Sequence, residues 1–165
     1  MWVETVVYTL IGLAVIGLLL AVSRPKIEEI KDKILIEQTI ESMNSIDAEI
    51  QKVQVSPGNR RVPNLKISKG RFIINATGEK IYWIINSEYK YSEFGEEINL
   101  GNLKIVTEEA SPFIVTLTLN YDNFDLLYDG GSIEKEIDST PLPYAFSIEN
   151  MGSVDGKIQI NLKAE

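Results

Sequence analysis

Cysteine and histidine are both missing from this chain of 165 residues. The first absence excludes disulfides and thiol redox chemistry. The second removes the commonest general base, and with it any Ser-His-Asp or Cys-His triad, and also the commonest ligand of zinc, copper and iron. Cationic side chains are in the minority: 16 Lys and Arg stand against 24 Asp and Glu, a formal net charge of −8. That balance argues against nucleic acid as a partner, because phosphate binding needs a basic face. The acidic residues are dispersed rather than run together, which argues against an acidic tail.

Catalytic motifs are absent as well. The sequence contains no GxSxG, no glycine-rich phosphate loop and no HExxH. Glu96-Glu97 and Glu108-Glu109 are adjacent carboxylates, and neighbours on a strand point to opposite faces. Asp122-Asn123-Phe124-Asp125 with Asp129 lacks EF-hand spacing and reads as a turn rather than a calcium site. The expectation is a protein that is not an enzyme and carries no metal or cofactor.

What the chain does have is an uncharged apolar run from Thr5 to Val22, preceded by Glu4 and followed by Arg24-Pro25-Lys26. As a helix these 18 residues rise roughly 27 Å, close to a bilayer core of about 30 Å. Cleavage as a signal peptide after Ser23 is disfavoured: no Lys or Arg precedes the run, and the run is longer than a signal-peptide core. Glu4 is a carboxylate at the tip of an apolar helix, where an unpaired charge is costly, so a partner for it is expected.

From Lys26 to about Val53 the apolar positions Ile27, Ile30, Ile34, Ile40, Met43, Ile46, Ile50 and Val53 recur at spacings of 3 or 4, with Leu35 and Ile36 filling one gap. They read as one amphipathic stripe. Glu29 and Lys33 form an i,i+4 pair in the favourable orientation. Pro25 predicts a bend rather than a break. Residues 1–54 are thus expected to form one long helix that the head covers little of. The head, residues 55–165, is expected to fold without the helix in its core.

Ser56-Pro57-Gly58-Asn59-Arg60-Arg61 ends the helix, and the period then switches to alternation. Strands are predicted at 65–67, 71–74, 80–85, 103–107, 113–120, 125–128, 133–137, 144–149 and 157–162. Thr77-Gly78-Glu79, Gly130-Gly131 and Asp155-Gly156 are the hairpin signals. The predicted class is α+β: a long N-terminal helix, hydrophobic and then amphipathic, followed by an antiparallel β-sandwich-like head. Asn75-Ala76-Thr77 is the one N-x-S/T sequon, which makes Asn75 a candidate for N-glycosylation. Tyr82, Trp83, Tyr89, Tyr91 and Phe94 are read as strand packing rather than as a stacking platform for sugars.

The N-terminal third resembles the type IV pilin superfamily, and more narrowly archaeal pilins and pilin-like surface proteins. The matching features are Glu4 near the tip, the apolar run with Gly12 and Gly17, Pro25, and the amphipathic continuation to Val53. The resemblance implies a structural subunit of an extracellular adhesion filament, anchored in the membrane before assembly. It also implies processing by a prepilin peptidase and handling by pilus assembly machinery. Site residues implied for homopolymer assembly are Glu4, Gly12, Gly17, Pro25, Ile27, Ile30 and Ile34, with Glu4 meeting the α-amino group of a neighbouring subunit. Arg24 and Lys26 by themselves favour a cytoplasmic head. An extracellular head therefore predicts a basic leader, ending in Gly or Ala and removed before Met1. The alternative from another class is a membrane-anchored surface domain that binds a sugar or peptide and never polymerises.

Overall fold

The computed structural model describes residues 2–164. Helix α1 spans Trp2–Val53 and runs through Pro25 without a break. Eleven strands follow: β1 Arg60–Arg61, β2 Asn64–Leu65, β3 Arg71–Asn75, β4 Lys80–Ser87, β5 Glu97–Leu100 and β6 Leu103–Glu108, then β7 Phe113–Asn120, β8 Phe124–Tyr128, β9 Glu134–Asp138, β10 Tyr144–Val154 and β11 Lys157–Ala164. The class is α+β, one long N-terminal helix followed by sheets that are mostly antiparallel.

One sheet has the order β5-β6-β7-β4-β3-β9 and is antiparallel throughout. The other has the order β1-β10-β11-β8, with β2 also paired to β10, and its β11–β8 pairing is parallel. Alternation positions the core: Ile81, Trp83 and Ile85 of β4 and Val115, Leu117 and Leu119 of β7 are buried on one face. They meet Phe146, Ile148, Ile160 and Leu162 of the second sheet in a single core. Phe72 sits between the sheets, edge-on to Trp83 at 5.4 Å and to Phe146 at 5.7 Å between ring centroids.

Turn chemistry fixes the hairpins. Asp155 and Gly156 both take positive φ, 51° and 85°, which suits the two-residue turn joining β10 to β11. Gly70 has no substitute: its φ is +86°, and an added Cβ would lie 2.2 Å from the carbonyl oxygen of Ile84.

Three expectations are corrected. Gly130-Gly131 does make a tight turn, with Tyr128 N donating to Gly131 O at 2.8 Å and Gly131 N donating back at 3.0 Å. Yet β8 and β9 belong to different sheets, so the turn is a crossover and not a hairpin. Glu29 pairs with Lys26 at 2.6 Å rather than with Lys33, whose ammonium lies over the Tyr89 ring at 5.8 Å. The head's core is not independent of the helix: Ile36, Met43, Ile46, Ile50 and Val53 belong to it and are almost wholly buried. The helix thus completes a core that the two sheets share.

Candidate functional site

The N-terminal half of α1 is the part of the molecule that its own fold leaves uncovered. An 18-residue apolar window there has a mean hydropathy of 2.5 and no buried residue. It is long and apolar enough to cross a membrane, by length and composition. Trp2, Tyr8, Leu18 and Val22 are each at least two-thirds exposed. Glu4 lies in the first turn, and Gly12 and Gly17 lie in the middle of this segment. A Cβ added at either glycine meets nothing within 4 Å.

Beyond Pro25 the helix changes character twice. Ile27, Ile30 and Ile34 are 49, 55 and 49 % exposed. Asp32, Ile36, Thr39, Met43, Ile46, Ile50 and Val53 are buried. At about 100° per residue, these two sets lie roughly 160° apart around the helix axis. The single stripe read from the sequence is therefore two stripes on nearly opposite faces. The change comes at the two-residue step from Ile34 to Ile36, which turns the apolar direction by about 200° instead of holding it. The head covers the second face and leaves the first bare.

Three polar clasps hold the second face in register. Where the helix enters the head, the buried Asp32 carboxylate accepts from Lys69 Nζ at 2.5 Å and from the backbone N–H of Glu88 at 2.7 Å. Trp83 Nε1 holds the backbone of the same Lys69 by donating to its carbonyl at 3.0 Å. Further along, Asp47 accepts from the Tyr121 hydroxyl at 2.9 Å and from Asn102 at 3.1 Å. Burial, and then the facing Asp47 carboxylate, push the Tyr121 phenol far above its ordinary value, so it remains a donor. At the C-terminus, buried Asn150 of β10 donates to the carbonyls of Val53 at 2.9 Å and Gln54 at 3.2 Å. Asn59 donates to the Lys52 carbonyl at 3.1 Å, so carbonyls left over at the helix end are satisfied by side chains.

Asn75 sits at the end of β3 with its side chain in use: Nδ2 donates to Glu134 at 2.9 Å and Oδ1 accepts from Gly78 N at 2.7 Å. The five aromatics do not form one platform. Trp83 is buried in the core, Tyr89 and Tyr91 pack against it, and Phe94 lies on Phe113 at 5.7 Å. Among the described residues no cluster of three or more carboxylates is arranged to hold a metal ion.

Comparison with protein-family models, with curated proteins and with solved structures finds no match.

Proposed function

We propose that this chain is a structural subunit of an extracellular filament of the type IV pilus kind, polymerising through its N-terminal helix and anchored by that helix in the membrane before assembly. One observation carries the reading: the Ile27, Ile30 and Ile34 face points away from the head and lies beyond the length that a bilayer covers. A lone membrane-anchored domain would leave that face in water, and an apolar surface of this extent usually marks an interface. Helices from neighbouring copies would cover it, and would also cover the Thr5–Val22 segment, which is apolar on all sides.

Head-to-tail contacts between identical subunits that do not close generate a helical filament. Gly12 and Gly17 give such a bundle its close approaches, because they leave the backbone accessible. Glu4 would enter an apolar bundle only with a cation against it, and a neighbour's ammonium is the partner proposed. The head then faces solvent and carries any adhesive contact.

The test is a pair of variants expressed in the native host, Gly17→Leu and Ile30→Asp. An added Cβ at Gly17 meets nothing within 4 Å and Ile30 is 55 % exposed, so both variants should keep a folded subunit in the membrane. In a bundle the first overpacks a close contact and the second buries an unpaired charge. Loss of filaments in both is the expected result. Normal filaments in both would make the helix an anchor only.

A further inference from the structure

Where the C-terminal end of α1 meets the turns at one end of the larger sheet, the surface opens into a cleft of about 290 Å³. Six carboxamides line it: Gln51 from the helix and Gln54 just past its end, Asn99 and Asn102 flanking the β5–β6 turn, and Asn120 and Asn123 around the β7–β8 turn. We propose that this cleft is a binding site for a neutral saccharide. It is independent of the polymerisation reading, since it lies wholly on the head and the last turn of the helix.

A carboxamide offers both a donating NH2 and an accepting oxygen, and a sugar hydroxyl needs both. Some of this capacity is already spent inside the protein. Asn102 donates to Asp47, Asn120 donates to Asp122, and Gln54 donates to Gln51. The side chains of Asn99 and Asn123 have no such bond among the described residues, and Gln51 keeps its NH2. The open donors and acceptors thus come from three separate segments and face one space. Polar groups converging on a preformed concavity fix the orientation of small ligands, and the volume lies just below the usual range of about 300–1,000 Å³.

The charges argue for a neutral ligand. Lys104 is the one cation in the lining and pairs with Glu97 at 3.3 Å, while Asp122 accepts both contacts from Asn120 at 3.2 Å. Asp122 keeps its charge, but with Lys104 the lining residues sum to zero, so the cleft has no excess of one sign to select an ion. The floor is rigid: Tyr121 and Phe124 are buried beneath the cleft, their rings 4.8 Å apart, and Tyr121 is tied to Asp47. With those rings buried, recognition rests on hydrogen bonds rather than on stacking.

The experiment uses the full chain in a zwitterionic detergent, because maltoside head groups are themselves sugars. It is applied with EDTA present to an array of neutral, amino and acidic oligosaccharides, and hits are measured by calorimetry. Binding to at least one neutral saccharide is expected, weakened tenfold or more in the Asn99→Ala/Asn123→Ala double variant with thermal stability unchanged. Both side chains are exposed and make no internal hydrogen bond among the described residues, so the variant folds as the parent does. No binding to any neutral saccharide, binding confined to charged ones, or binding that the double variant retains in full would each overturn the proposal.

Discussion

Ile34 and Ile36 stand two residues apart on one helix and face opposite ways: Ile34 is 49 % exposed and Ile36 is completely buried in the core. Between them the helix passes from a face that nothing in the chain covers to a face that both sheets cover. A prediction follows from the contrast. Ile36→Ala should destabilise the head by about 2–5 kcal/mol, the range for truncating a buried Ile. Ile34→Ala should change it by less than about 0.5 kcal/mol, as an exposed position does. Urea denaturation of the two variants in detergent, followed by tryptophan fluorescence of buried Trp83, checks both values.

Asp32 is the polar counterpart of that boundary. It is 5 % exposed and holds both Lys69 and the Glu88 backbone, so its loss leaves a peptide N–H without its acceptor. Lys69 is 41 % exposed and finds water instead, which limits the cost. Asp32→Ala should therefore cost on the order of 2 kcal/mol. Asp32→Asn, which keeps an acceptor for Glu88, should cost less. Denaturation midpoints of the two variants at pH 7 give the comparison, and equal losses would place the whole effect in the ion pair.

Acid should act on the head through Glu79. Its carboxyl is raised above the ordinary value, first by desolvation and also by Asp125, against the lowering effects of the Leu126 N–H and Lys157. A raised carboxyl binds its proton more tightly in the folded than in the unfolded chain, so this group's contribution to stability is greatest in acid. That contribution falls as pH rises from its ordinary value of 4.5 through its raised one. Glu79→Gln should remove this loss while leaving an acceptor for Leu126 N. Melting temperatures between pH 4 and pH 8 should show the variant gaining on the parent as pH rises. A constant difference across that range would mean that Glu79 titrates alike in both states.

Much of the fold was legible in the sequence, because two periods dominate it. The helix from Trp2 to Val53 and the strands over Arg71–Asn75, Lys80–Ser87, Leu103–Glu108 and Phe113–Asn120 follow runs whose inward residues are nearly all Ile, Leu, Val, Phe or Trp. β5 went unread because Glu97-Ile98-Asn99-Leu100 is an edge strand whose residues are mostly exposed, so burial imposes no alternation on it. The parallel β8–β11 pairing and the crossover after Gly130-Gly131 were beyond local signals, which mark a turn but not which sheet the next strand joins. The two faces of α1 were within reach, since the Ile34-to-Ile36 step carries the rotation. The carboxamide cleft was not: residues near positions 51, 99 and 123 meet only through the topology of the sheet.

The measurement that bears most directly on the central claim is electron cryomicroscopy of the full chain after detergent is withdrawn. The account predicts helical filaments with α-helices bundled at the centre, neighbouring axes about 8–10 Å apart, and the heads outside. Within that bundle the Ile27, Ile30 and Ile34 face of each subunit should be buried against a neighbouring helix. Monodisperse particles whose helices stay separate, or filaments joined through the heads with that face still in solvent, would contradict it.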